Sequence, residues 1–218
     1  MRLKKQFITA SFTFITVPKS CSDLKKIHPI AKSGHYVIDP DEEGMLAPFT
    51  VYCNMTDMNG VGVTVISHDS ENKTRVKGYE NPGSYSRDIH YTGVSLSQLA
   101  SLTAVSLRCE QFIMNECLHS KMHRDQVWDW WVSRDSSKMM YWGGASVNYK
   151  CACGMTHSCA DPNYGCNCDA NDQVWRNDSG LLTDKTKLPV KQLRFGETGD
   201  SNEDGYHTLG KLECYGLA

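Results

Sequence analysis

The chain has 218 residues, of which 40% are hydrophobic and 22% are charged, and its formal net charge is −2. These values are typical of one globular domain that can bury a core. A charge this close to neutral excludes the basic surface that attracts nucleic acid or anionic membrane. No apolar run reaches the ~20 residues that span a bilayer, so we expect neither a nucleic-acid partner nor a membrane span in this chain.

The N-terminus has the pattern of a leader. A basic start, with Arg2, Lys4 and Lys5, precedes an apolar, threonine-rich stretch of the length found in secretory signals. No clean small-residue cleavage site follows. We interpret residues 1–18 as a signal or leader segment, with the ragged start of an excised domain as the alternative. Residues 19–218 are interpreted as one domain, since no linker divides them.

Two apolar alternations predict strands early in the domain. Phe49, Val51 and Cys53 fall on one face of residues 48–55, and residues 62–66 form the next strand-like run. A helix is predicted further on, because a serine and a glutamine have the spacing of a capping box before a leucine face. These residues are Ser95 and Gln98, followed on one face by Leu96, Leu99 and Leu102.

The second half is predicted to contain strands around 104–108, 111–114, 192–195 and 209–214. The acidic, polar residues 196–205 are predicted to form a mobile loop. A band of large aromatic residues is interpreted as core beside the disulfides, with a ligand platform as the alternative. The band consists of Trp128, Trp130, Trp131, Tyr141 and Trp142.

Half of the ten cysteines lie between residues 151 and 168. One-residue gaps separate Cys151 from Cys153 and Cys166 from Cys168, whereas zinc hooks use gaps of two to four and redox motifs use two. A nearby His157 does not change this, so zinc remains the weaker alternative. Cysteines this close rarely bond to each other, and an even total fits full pairing. We therefore predict that all ten form disulfides: Cys21, Cys53, Cys109, Cys117, Cys151, Cys153, Cys159, Cys166, Cys168 and Cys214.

Three sequons support an oxidising, secretory environment. Asn54, Asn72 and Asn177 each begin an Asn-x-Ser/Thr triplet, and their presence beside ten cysteines favours a secreted glycoprotein. Asn72 is the most favourable site because it lies in a polar stretch. Asn54 follows Cys53 in a predicted strand and should be less accessible.

Catalysis is not indicated by the sequence. No nucleophile elbow, zinc-protease motif or phosphate-binding loop is present. His119 and His123 have the spacing of two ligands on one helix face near Asp125. No third ligand accompanies them, so we interpret both histidines as solvent-exposed and the protein as a non-enzyme.

The residues also carry a family resemblance. The segment SGHYVIDPDEEGMLAPFTVYCNM at 33–55 resembles fibrinogen-like C-terminal domains and, more distantly, fibrillar collagen C-propeptides. The sequences LSQLASLTAVSLRCEQFIMNEC, YWGGA, KCACG with CNCDA, and LPVKQLRFGETG resemble the fibrinogen-like module of contactin-associated proteins, the neurexin IV group. The resemblance covers about residues 19–216.

This resemblance implies an α+β fold, fibrinogen C-terminal-like, with a central twisted antiparallel sheet, a few helices and a disulfide-rich loop subdomain. It implies pairing of Cys21 with Cys53. The collagen C-propeptides further imply that Cys117 pairs with Cys214, leaving Cys109 to pair among the loop cysteines. The alternative is a local bond between Cys109 and Cys117.

Calcium is implied only weakly. Asp39 and Asp41 match ligand positions of the collagen C-propeptides, but Ala47 stands where an aspartate is needed. Asp169 and Asp172 suit calcium chemically but lack the spacing of lectin-type fibrinogen-like domains. We therefore expect no resident cofactor and interpret Asp169 and Asp172 as solvated loop acids. Calcium at Asp39 and Asp41 is the weaker alternative, with Glu42 or Glu43 in place of the missing aspartate.

Function is expected to lie outside the cell. The resemblance implies an adhesion or recognition module that binds extracellular proteins or glycans through variable loops, such as 67–92 and 196–205, on a rigid scaffold. The alternative is a secreted structural protein of the extracellular matrix without a discrete receptor.

Overall fold

The computed structural model describes residues 17–218. The leader predicted at 1–18 therefore lies almost wholly outside the described residues. Helices α1 to α3 span Cys21–Ile27, Leu96–Val105 and Ala152–Thr156. Strands β1 to β11 span Gly34–Ile38, Phe49–Asn54, Val63–Ile66, Thr74–Val76, Tyr85–Asp88, Ser106–Leu118, Trp130–Val132, Lys138–Met139, Arg176–Leu182, Gln192–Phe195 and Asp204–Leu217.

Two antiparallel sheets organise these elements. The larger has seven strands in the order β1-β2-β3-β11-β6-β9, and β4 pairs with a separate part of β11. The smaller has the order β5-β10-β7-β8. Antiparallel sheets with a few helices and a cysteine-rich loop confirm the predicted α+β class. None of the helices within residues 17–218 is long and apolar enough to cross a membrane.

Helix α2 begins where its sequence predicts. The Ser95 hydroxyl accepts a hydrogen bond from the Gln98 backbone N–H, and the Gln98 side chain accepts one from the Ser95 N–H. Leu99 and Leu102 are fully buried, as expected of the face that packs onto the sheet. The helix continues through Val105, so the strand predicted to start near 104 begins at Ser106 instead.

Helix α1 was not predicted, although its signals are local. The Ser20 hydroxyl accepts from the Asp23 backbone N–H at 3.2 Å, and Lys25 and Lys26 lie in the last turn. Ser20 caps the N-terminus, and the two lysines interact favourably with the negative end of the helix dipole. The predicted strands at 48–55 and 62–66 are present as β2 and β3.

Two stretches predicted as loops are more ordered than expected. Residues 67–92 contain β4 and β5. In the supposedly mobile stretch 196–205, the backbone N–H groups of Glu197 and Thr198 donate to the carbonyls of Glu80 and Tyr79 at 3.1 and 2.9 Å. Both residues are buried. The acidic composition therefore reflects buried, hydrogen-bonded carboxylates as well as solvated ones.

The core lies between the inner face of the large sheet and the smaller sheet. Trp131 and Trp142 are fully buried and Tyr141 nearly so, which agrees with the core interpretation for that part of the aromatic band. Trp128 and Trp130 are only half-buried. The Lys138 ammonium lies 3.7 Å from the centroid of the Trp130 ring, so the band extends to the surface at this end.

All ten cysteines are paired in the structure. Cys21 bonds to Cys53, as the resemblance implies. The expected Cys117–Cys214 bond is wrong, and so is its local alternative. The five pairs are Cys21–Cys53, Cys109–Cys214, Cys117–Cys168, Cys151–Cys166 and Cys153–Cys159.

Strand register explains this correction. Cys214 of β11 stands directly opposite Cys109 of β6, with Cα atoms 4.1 Å apart, whereas Cys117 stands opposite Gly205. Eight residues of strand, about 27 Å, separate Cys117 from Cys109 along β6. Cys117 therefore reaches the cysteine-rich loop, where it pairs with Cys168.

Candidate binding site

Three disulfides shape the segment from residue 140 to residue 170, here called the cysteine-rich loop. Cys151–Cys166 and Cys153–Cys159 close it on itself, and Cys117–Cys168 attaches it to β6. With this many covalent constraints, the loop holds a defined surface with little regular secondary structure.

A surface groove of about 430 Å³ lies on this loop. The residues that line it include Tyr149, Lys150, His157, Asn163 and Tyr164. Tyr149 is half exposed, at 51%. Aromatic faces beside amide, imidazole and ammonium donors form a surface that can pack on a partner and donate hydrogen bonds to its oxygens.

The backbone around the groove adopts conformations that few residues tolerate. Tyr149 and His157 have φ angles of 64° and 54°, in the left-handed region. A Cβ on Gly165 would lie 2.1 Å from the Tyr149 carbonyl oxygen, so only glycine allows these segments to approach. Residues in sparsely populated conformations occur often at functional surfaces, which supports this groove as the candidate site.

Asp169 fastens the cysteine-rich loop to the segment after β6. Its Oδ1 accepts hydrogen bonds from three consecutive backbone N–H groups, those of Met122, His123 and Arg124, at 2.9, 2.8 and 3.0 Å. The side chain is almost completely buried. One carboxylate thus accepts hydrogen bonds from backbone donors that would otherwise lack an acceptor.

Asp178 performs a similar role from β9. Its two oxygens accept from the backbone N–H groups of Asn167 and Cys168, each at 2.9 Å. Burial raises the pKa of Asp178 to about 6 in spite of these hydrogen bonds, and the nearby Asp169 charge adds to the shift. Burial likewise raises the pKa of Asp129 well above its ordinary value. Sequence reasoning missed these roles, because amide-binding acids have no fixed spacing.

The calcium candidates separate into two groups. Asp169 binds backbone amides, and Asp172 forms an ion pair with Arg176; neither is a free ligand. Asp39 and Asp41 line the same pocket, and partial burial and the Asp41 carboxylate raise the pKa of Asp39. The Asp39 Oδ1 is buried without a hydrogen-bond partner among the described residues.

Calcium takes six to eight oxygen ligands. Near Asp39, however, Glu42 is paired with Lys19 at 3.1 Å, and the Asp41 carboxylate already accepts from the Leu46 backbone N–H. Because Glu42 and Asp41 already have partners, no function is derived from this cluster.

The two histidines singled out by spacing do not share a helix face, because residues 119–123 are not helical. His119 has a φ of 49°, and its Nδ1 contacts the Asn202 amide. His123 is partly buried, which lowers its pKa, and its ring meets Tyr149 edge-on with centroids 6.0 Å apart. The expectation of exposed histidines is therefore wrong for His123, which supports the wall of the groove.

The sequons differ in exposure. Asn72 and Asn177 are exposed, while Asn54 is half-buried and its amide nitrogen donates to the Asp57 carboxylate at 2.5 Å. Glycosylation at all three stays a prediction. Of the residues that line the groove, sequence reasoning singled out only His157, as a zinc ligand, and Cys159, as a disulfide cysteine. The turn-forming Asn148-Tyr149 and Pro162-Asn163 pairs beside the cysteines were the available signal.

A family model for the fibrillar collagen C-terminal domain matches residues 14–204. The chain belongs to this family. Contactin-associated protein 1 of Mus musculus is 38% identical over 188 residues, which cover 84% of the chain and 13% of that protein. Neurexin-4 of Drosophila melanogaster is 35% identical over 209 residues, covering 91% of the chain and 16% of that protein. These matches confirm the resemblance to the contactin-associated and neurexin IV group.

The chain spans only 13% to 16% of the length of these relatives. The match includes the capped helix α2, strand β6 and the cysteine-rich loop, because it covers most of the chain. What the relatives share with this chain is therefore one module.

Proposed function

We propose that this chain is an extracellular, non-catalytic recognition module that binds a protein or glycan partner through the groove of the cysteine-rich loop. The observation that carries the proposal is the groove itself: two tyrosine rings and several hydrogen-bond donors are held by disulfides and by a glycine-dependent close approach. Preorganised surfaces lose little conformational entropy when they bind.

The relatives favour a protein partner. The name of contactin-associated protein 1 links that protein to contactin, and the resemblance to its group implies an adhesion role. Five disulfides suit an oxidising compartment. We extend the proposal to secretion and to glycosylation at Asn54, Asn72 and Asn177.

The test uses the secreted, labelled chain on living cells. The variant carries Tyr149→Asn and His157→Asn, because asparagine tolerates the left-handed backbone while removing both rings. We expect binding to weaken by ~10-fold or more, as for central interface residues. The matched control is Val37→Thr, a strand-compatible change at an exposed site of β1, which should bind as the unmodified chain does. Equal binding by the double variant would rule out the groove.

The second candidate function is a structural role in the extracellular matrix without a discrete receptor. The same labelled chain distinguishes the two. A receptor-binding module saturates on cells and cross-links to a single membrane protein. A matrix component accumulates without saturation and is released only when the matrix is extracted.

A further inference from the structure

One face of the large sheet is open to solvent and carries exposed apolar side chains. Leu181 of β9 stands opposite Phe112 of β6, and they are 41% and 36% exposed. Trp175, just before β9, is 49% exposed, and its ring lies 5.7 Å from that of Tyr206. Contiguous exposed apolar patches often mark a surface that contacts another molecule or group.

Asn177 lies on this same face. In β9 the buried residues Asp178 and Leu182 alternate with exposed Asn177 and Leu181, because successive side chains of a strand point to opposite sides. Asn177 is opposite Glu116, and Tyr206 is opposite Glu116 on its other side. The sequon asparagine therefore projects from the row of residues that holds the Trp175–Tyr206 pair.

The spacing of Trp175 and Asn177 places the exposed indole beside the sequon asparagine. Two residues of extended chain put their Cα atoms about 6–7 Å apart on one face. The Asn177 side chain makes no hydrogen bond within residues 17–218; the Asn167 amide donates to its backbone carbonyl instead. The Asn54 side-chain amide, in contrast, donates to the Asp57 carboxylate. A sugar attached at Asn177 begins within reach of the exposed indole.

We propose that Asn177 carries an N-linked glycan whose first N-acetylglucosamine packs on Trp175, so that the chain's own carbohydrate covers the open sheet face. In the covalent step, Nδ2 of Asn177 bonds to the anomeric carbon of a lipid-pyrophosphate-linked oligosaccharide. The bond from that carbon to the pyrophosphate breaks, the lipid pyrophosphate leaves with the electron pair, and the amide nitrogen gives up one proton. The apolar C–H face of the sugar then meets the electron-rich face of the indole.

This inference rests on the proposed extracellular function, since the sugar is added only in the secretory pathway. The whole chain is secreted from eukaryotic cells, and peptide mapping measures occupancy at Asn177. The glycan is then trimmed enzymatically to its first sugar. We expect Asn177 to be occupied and the trimmed protein to melt ~2 °C or more above the Asn177→Gln variant.

The role of Trp175 is tested by repeating that comparison in three backgrounds. Trp175→Ala should abolish the stability gain, and Trp175→Phe should retain part of it. Val174→Ala, a change at a neighbouring exposed residue, should leave it intact. An unoccupied Asn177, or a gain that survives in Trp175→Ala, would overturn the inference. Cell binding by the Asn177→Gln variant reports separately on the groove, so the two proposals can fail independently.

Discussion

Asp169 helps to attach the cysteine-rich loop to the segment after β6. We predict that Asp169→Ala lowers the free energy of unfolding by ~3 kcal/mol, since three backbone N–H donors, one of them buried and two partly buried, lose their common acceptor. Asp169→Asn keeps one acceptor oxygen and should cost less. Urea denaturation without reductant measures both changes.

The control for Asp169 is Asp172→Asn. It breaks a partly exposed ion pair with Arg176, which is worth less than ~1 kcal/mol. If Asp169→Ala and Asp172→Asn proved equally mild, the three short hydrogen bonds would have little energetic weight, and the disulfides alone would hold the loop.

Asp178 makes stability depend on pH. Its folded-state pKa of about 6 lies above the ordinary value of 3.8, so the folded chain holds a proton that the unfolded chain has released. Stability therefore falls as pH rises from about 4 through about 6, by up to about 3 kcal/mol from this residue. We predict that Asp178→Asn removes this part of the decline, as measured by urea denaturation at pH 4.5 and pH 7.5.

The pH control is Asp200→Asn, at an exposed aspartate. This variant should show the same decline as the unmodified chain. Asp129 and Glu197 also have raised pKa values because of burial, so part of the decline should survive in Asp178→Asn. A decline unchanged in Asp178→Asn would mean that the carboxylate is better hydrated than its burial implies.

Among the structural elements, the two longest strands share the disulfide with the largest sequence separation. Cys109–Cys214 joins β6 to β11 across 105 residues, whereas Cys153–Cys159 spans 6. In the chain-entropy model these bonds are worth about 5 and about 2 kcal/mol. We predict that replacing both cysteines of the first pair by alanine destabilises the chain more than the same change in the second, as measured by denaturant midpoints. The reverse order would show that packing within the loop outweighs chain entropy.

The sequence predicted the elements that depend on neighbouring residues, and it missed the features that depend on residues far apart in the chain. The capping box at Ser95 and the alternation at Phe49, Val51 and Cys53 are local, and their predictions were confirmed. The pairing of Cys214 depends on the register of two strands about a hundred residues apart, and no local pattern encodes that register. The groove was missed for the same reason, because its walls come from turns that only the disulfides bring together.

For the whole molecule, complete pairing of the cysteines has a direct chemical test. We predict less than one reactive thiol per chain under denaturing, non-reducing conditions, and no stoichiometric zinc. Reduction should expose all ten, because every cysteine is bonded in the structure. Several thiols before reduction, together with bound zinc, would favour the metal alternative that the cysteine spacing already opposes.

The position of β11 also has a consequence for how the protein is made. This strand lies between β3 and β6 and also pairs with β4, yet it is the last strand that the ribosome synthesises in this chain. Until residues 204–217 emerge, β3 and β6 lack the neighbour between them, and Cys109 has no partner. Until then the nascent chain holds apolar surface and an unpaired Cys109 thiol, and such intermediates are the kind on which chaperones and disulfide isomerases act. Premature termination before β11 would remove the centre of the sheet, not its edge.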